Sequence, residues 1–217
     1  MENTLREAGN SRHVACLLTQ VEVDEDDPAF QDPSKPIGAF YEEDEAQRIS
    51  DELGWLMKED AGRGWRHVVP SPKPKHVCDI SLVQILARRG TVVIAGGGIP
   101  VIREPNGVRK GVQAVIDKDL TSALMANVLG IELLMILTAV PKIAINFGTP
   151  EQRELDKVTM RELHSEGHFP AGSMGPKVDA AMRFLEGGGE RVIIAHLDEA
   201  MAALRGENGT HVVADDG

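Results

Sequence analysis

DLTSALMANVLGIELLMILT (119–138) holds two hydrophobic periods back to back. Leu120, Ala123, Leu124 and Val128 recur at helical spacing and predict a helix over Asp119–Leu129. After Gly130, Glu132–Thr138 is an apolar run of strand length. The same alternation extends in both directions. Strands are expected at His13–Val23, Thr91–Ala95, Arg191–Ala195 and Thr210–Val213, and helices at Ser81–Arg89, Lys177–Leu185 and Leu197–Leu204. Near-continuous apolar strands separated by one-striped helices predict an α/β fold, with a mainly parallel sheet covered on both faces. ENTLREAG (2–9) reads as the last turns of a helix stopped by Gly9, so a helix precedes the first strand.

One stretch breaks the alternation. Asp24–His76 holds the acidic run DEDD, Pro28, Pro33, Pro36, Pro70, Pro72 and Pro74, an acidic helical pattern over Glu42–Met57, and the basic RGWRHVVPSPKPKH. It lies between a strand and a helix and reads as an excursion from the sheet, a protruding lobe or lid.

The 217 residues suffice for one domain, and 42 % apolar with 26 % charged residues is ordinary globular usage. Aromatics are only 4 %, so the core is built from aliphatic side chains. The net charge of −11 lies wholly in residues 1–60, which carry 16 acids and 5 bases; the remaining residues carry 18 of each. Such a balance argues against nucleic acid as the main partner. Cys16 and Cys78 are too few for a disulfide framework, no apolar run has membrane-span length, and the start lacks a signal-peptide core. A cytoplasmic protein with no membrane or nucleic-acid partner is expected.

Three features carry chemistry. Gly96, Gly97 and Gly98 follow the strand TVVIA; backbone N–H groups there suit a phosphate, and a plain tight turn suits the run equally well. Lys118 in IDKDL and Lys177 in GSMGPK each fall in the first turn of an expected helix, where a cation opposes the helix dipole unless an anion is near. Solvated lysines are the plain alternative. Asp117 and Asp119 flank Lys118; one could be an N-cap, or one could orient lysines in a phosphoryl-transfer site. The seven histidines show no metal-ligand spacing, and GxxxxGK[ST], nucleophile-elbow and protein-kinase signatures are absent from the sequence.

GWRHVVPSPKP, AGGGIPV, VIDKDLTSALMA, INFGTP and GHFPAGSMGPKVDAAMRFLEGGG occur in this order, with TQVEVDEDDPAF and PSKPIGAFYEEDEA before them. The combination closely resembles the carbamate kinases, a branch of the amino-acid kinase fold family, from about residue 2 to 213. The resemblance implies a three-layer sandwich with a mainly parallel sheet flanked by helices, residues 24–76 forming a protruding lid subdomain. It implies reversible phosphoryl transfer between carbamoyl phosphate and ADP, giving ATP and carbamate, with Mg²⁺, in arginine catabolism, by a homodimer. On matching positions Lys118 and Lys177 would neutralise the transferring phosphoryl group, Asp119 would hold those lysines, and Lys35 would reach the carbamoyl phosphate. Gly96, Gly97 and Gly98 would line the phosphate or substrate side. Asn146, Phe147 and Gly148 of INFGTP, and the loop before Met174, would border the adenine nucleotide.

The chain departs from the family pattern where LTAVPKI stands for LTDVDKV, placing Ala139 and Pro141 at two aspartate positions, and in a glycine run one residue short. The family's opening strand and its GGNA phosphate loop have no counterpart in the 217 residues. These departures favour a second reading, a truncated and catalytically impaired homologue that binds nucleotide or a partner without turnover.

Overall fold

The computed structural model describes residues 1–60, 62–165, 169 and 174–215. In chain order the elements are α1 (Glu2–Glu7), β1 (Val14–Cys16), β2 (Gln20–Val23), β3 (Lys35–Tyr41), α2 (Glu43–Leu53), β4 (Met57–Glu59), β5 (Trp65–Val69), β6 (Pro74–Val77), α3 (Ile80–Arg88), β7 (Val92–Ile94), β8 (Ile99–Arg103) and β9 (Arg109–Gly111). There follow α4 (Lys118–Leu129), β10 (Leu133–Thr138), β11 (Ile143–Ile145), β12 (Arg153–Leu155), β13 (Lys157–Thr159), α5 (Met160–Ser165), α6 (Gly175–Glu186), β14 (Arg191–His196), α7 (Ala200–Leu204) and β15 (Thr210–Val213). They fall into two compact units, one of Met1–Asp79 with Arg89–Asp117, the other of Ile80–Arg88 with Lys118–Gly217. Among the described residues no helix is long and apolar enough to cross a membrane.

The second unit is built on a four-stranded sheet ordered β10-β14-β15-β13. The sheet is mixed: β10 and β14 run parallel, as do β13 and β15, whereas β14 and β15 are antiparallel. Val192, Ile194 and Val212 face one side, where they pack with Ala123 and Ala126 of α4 and with Val178, Ala181 and Phe184 of α6. Ile193 and Ala195 point the other way, onto Ala203 of α7. Strand alternation thus feeds two layers of helix from one strand, which is why β14 reads as an unbroken apolar run. The side chain of Asn127 donates to the Arg183 carbonyl at 2.9 Å and ties α4 to α6.

The first unit contains three small sheets, β1-β7, β6-β2-β8-β9 and β3-β5-β4. The strand expected over His13–Val23 is broken into β1, paired with β7, and β2, paired with β6 and β8. The break has a local cause. Thr19 lies between the two strands, fully buried, and its hydroxyl accepts from the Gly96 N–H at 3.1 Å while its carbonyl accepts from Ile99 N–H at 2.8 Å.

Within Asp24–His76, β3, β5 and β4 form an antiparallel sheet against which α2 seats Ala46. Glu43, Asp44 and Glu45 occupy the first turn of α2, the favourable end for acids, and Gly54 closes it at φ +68°. Arg63 and Arg66 stack on Phe40, at 5.1 and 4.9 Å from the ring centroid, and both donate to Asp60. Burial pushes the Asp60 carboxyl up, and the bonds from Arg63 and Arg66 more than offset it, leaving its pKa lowered. A carboxyl lowered on folding stabilises the folded form above its unfolded pKa, and the contribution is lost as pH falls through the folded value, hence below about pH 4. Both tryptophans of the chain, Trp55 and Trp65, lie in this segment, with Trp55 stacked on His67 at 4.3 Å. Tryptophan emission is therefore expected to change below about pH 4, and Asp60→Asn to show the acid spectrum already at pH 7. Identical spectra for Asp60→Asn and the parent at pH 7 would sink this expectation.

Candidate active site

α4 and α6 each begin with a lysine in the first turn, Lys118 and Lys177. Pro176 pre-sets the first turn of α6, and the Lys177 and Val178 N–H groups both donate to the Met174 carbonyl at 3.0 Å. Asp119, one residue into α4, accepts from Lys177 Nζ at 3.0 Å and lies 3.5 Å from Lys118 Nζ. Its carboxylate is 9 % exposed and the Lys177 side chain 14 %, whereas Lys118 is 70 % exposed. The anion that two N-terminal lysines call for is thus partly supplied by the protein itself. One lysine is pinned in place, and the other projects its ammonium into solvent.

In the first unit Lys35 opens β3, and its Nζ donates to Asp117 Oδ2 at 2.7 Å. Nothing local in the sequence signals this pair, because its members stand far apart in the chain. Asp117, readable from the sequence either as a possible cap or as an orienter of lysines, is a residue whose partner the sequence does not show. Thr19 is another; a lone threonine before a strand carries no distinguishing signal.

The glycine run connects β7 to β8 with φ values of +101°, +70° and +90° at Gly96, Gly97 and Gly98. Gly98 has a packing reason as well. A Cβ there would stand 2.7 Å from Val21 Cγ2 and 3.0 Å from the Thr19 carbonyl oxygen. Gly98→Ala is expected to cost about 1–3 kcal/mol, read as a lowered urea midpoint at unchanged slope. A midpoint equal to the parent's would show that the turn tolerates a side chain.

Asn146, Phe147 and Gly148 form the turn between β11 and β12. Asn146 is left-handed at φ +52°, Phe147 is 67 % exposed, and the Gly148 N–H donates to Gln152 Oε1 at 2.9 Å. Met174 packs against the core beside α6. The residues just before it, 170–173, lie outside the described residues. A separate cavity of about 480 Å³ in the second unit is lined by Lys142, Lys157, Arg191 and His211 with the 206–209 loop, and holds none of the sequence candidates. No group of three or more His, Cys, Asp or Glu that could hold a metal occurs among the described residues.

The amino-acid kinase family profile matches residues 39–196. Carbamate kinase of Thermococcus kodakarensis is 53 % identical over 98 % of this chain and 69 % of its own length. The chain belongs to the amino-acid kinase family. Carbamate kinases are among its relatives: that of Pyrococcus furiosus is 51 % identical, again over 98 % of this chain and 69 % of the relative. Carbamate kinase from Giardia lamblia bound to AMP-PNP superposes with a TM-score of 0.85 at 42 % identity, covering 99 % of this chain and 70 % of that structure. Membership in this kinase family makes the chain a phosphotransferase by type, and the α/β architecture with mixed sheets flanked by helices is that of the family.

Proposed function

We propose that this protein transfers a phosphoryl group reversibly between carbamoyl phosphate and ADP, giving carbamate and ATP. The observation that carries the reading is the Asp119 carboxylate holding Lys177 at 3.0 Å beside Lys118 at the starts of two packed helices. Phosphoryl transfer demands little covalent chemistry from a protein; it demands positioned cations where charge spreads over the equatorial oxygens. In the reaction a terminal oxygen of ADP attacks phosphorus, the bond from phosphorus to the carbamoyl oxygen breaks, and carbamate leaves with that electron pair. Lys118 and Lys177 neutralise the transferring group, Asp119 keeps Lys177 in place, and Lys35 reaches the carbamoyl phosphate.

Gly96, Gly97 and Gly98 serve the phosphate or substrate side, and Asn146, Phe147, Gly148 and Met174 border the adenine nucleotide. Residues 24–76 act as a protruding subdomain that closes over a labile acyl phosphate and excludes water. Mg²⁺, implied by the likeness to carbamate kinases, would add positive charge at the nucleotide phosphates. Arginine catabolism, a cytoplasmic setting and a homodimer complete the proposal by likeness to the relatives.

Ala139 and Pro141 favour a second reading, nucleotide binding without turnover, since the first removes a carboxylate and the second a backbone donor. ATP formation from carbamoyl phosphate and ADP in a coupled assay, with calorimetric ADP titration alongside, separates the two. Turnover supports the first; ADP binding with no ATP formed supports the second, and neither signal defeats both.

A further inference from the structure

We infer that Asp117 is a positioning residue for Lys35, setting where that ammonium meets carbamoyl phosphate; the inference rests on the role proposed above for Lys35. The two side chains form a 2.7 Å ion pair in which the carboxylate is 9 % exposed and the lysine 31 %. A carboxylate so far removed from water is stable only when paired, and its pairing is correspondingly directional.

Backbone contacts fix both partners. Lys35 stands opposite Val69 in the β3–β5 ladder. The next residue, Pro70, accepts from the Val115 N–H at 2.9 Å, and Ile116 is buried beside it. The segment leading to Asp117 is thereby tied to the strand end that Lys35 faces, and the carboxylate meets the ammonium without a search.

A lysine stem has four carbons and many rotamers, so an unanchored ammonium spends little time at one point. One of its three N–H donors on Asp117 restricts that freedom and leaves the others for oxygens of an anionic substrate. The stretch Asp117–Lys118–Asp119 then does one job twice. Asp117 holds the lysine brought from β3, and Asp119 holds the lysine brought from α6.

The test compares Asp117→Asn, Asp117→Glu, Lys35→Met and the double variant Lys35→Met/Asp117→Asn in the whole chain. It reads steady-state kinetics together with calorimetric affinity for phosphonoacetamide, a non-hydrolysable analogue of carbamoyl phosphate. Asp117→Asn is expected to lower kcat/KM for carbamoyl phosphate, and the affinity for the analogue, about 10–100-fold, with KM for ADP unchanged within about twofold. Asp117→Glu keeps the charge and recovers part of the loss, and it carries the test if the asparagine variant does not fold. The double variant is expected to be no worse than Lys35→Met alone. Losses that add in the double variant, or an Asp117→Asn affinity equal to the parent's, overturn the inference while leaving the role of Lys35 intact. If Lys35→Met itself changes neither readout, the role of Lys35 fails, and the inference falls with it.

Discussion

Lys177→Met is expected to lower the rate of ATP formation by about 10³-fold, with the fold intact. Methionine matches the length and apolar stem of lysine but has no charge. The variant removes the pinned cation at the start of α6 and leaves Asp119, now without its 3.0 Å partner, close to where phosphoryl charge has to be neutralised. Two losses therefore coincide: an attraction disappears and a repulsion is exposed. Removing the nearer of its two lysines also leaves the buried Asp119 carboxylate less well compensated, so a lowered melting temperature accompanies the kinetic loss. Asp119→Asn/Lys177→Met, which removes both charges, is expected to recover the melting temperature but not the rate. Stability and catalysis are separated in that comparison, and a rate within tenfold of the parent for Lys177→Met would refute the assignment. If the chain binds ADP without turnover, the same substitution is expected to weaken ADP binding, and unchanged affinity would count equally against it.

Phe184→Ala is the substitution expected to cost most stability, about 3–5 kcal/mol. Phe184 is completely buried at the centre of the α4–α6 layer. Its ring is also boxed in: a Cβ on Gly189 would stand 2.3 Å from two of its ring carbons, so the turn after α6 is moulded onto the aromatic edge. Such a site relaxes poorly after truncation, which places it at the upper end of the range for lost transfer energy plus cavity. In a chain with 4 % aromatic residues, one fully buried ring is a large share of what the core has to lose. Equilibrium urea unfolding measures the cost; a shift under 1 kcal/mol would mean that the helices collapse onto the cavity.

Much of the fold could be read along the chain because its elements are locally coded. β15 lies where its apolar run predicts, and α3, α4, α6 and β14 differ from expectation by a residue or two at their ends. Leu197–Leu204 was readable as one helix, and it is a 3₁₀ turn over Leu197–Glu199 followed by α7. What failed was continuity over His13–Val23, where the hydrophobic pattern is unbroken but a buried threonine carries the chain from one sheet to another. Pattern reports which faces are apolar. It does not report which neighbour each strand finds, and so could not foresee that β15 runs against β14 in a mixed sheet.

The candidate residues divide in the same way. Lys118 and Lys177 were conspicuous because each sits where a helix dipole disfavours a cation, a conflict visible within a few residues. DLTSALMANVLGIELLMILT by itself determined a helix and a strand, and with the motifs around it the family to which the chain belongs. Only the tertiary structure decided which charges meet. Asp119 reaches Lys177 because α4 and α6 pack side by side on one sheet face, and Asp117 reaches Lys35 because the segment before it is bonded to the end of β5. Propensity acts through bonds between near neighbours in sequence. An ion pair between distant residues exists only once packing has brought two backbones within a side chain's length.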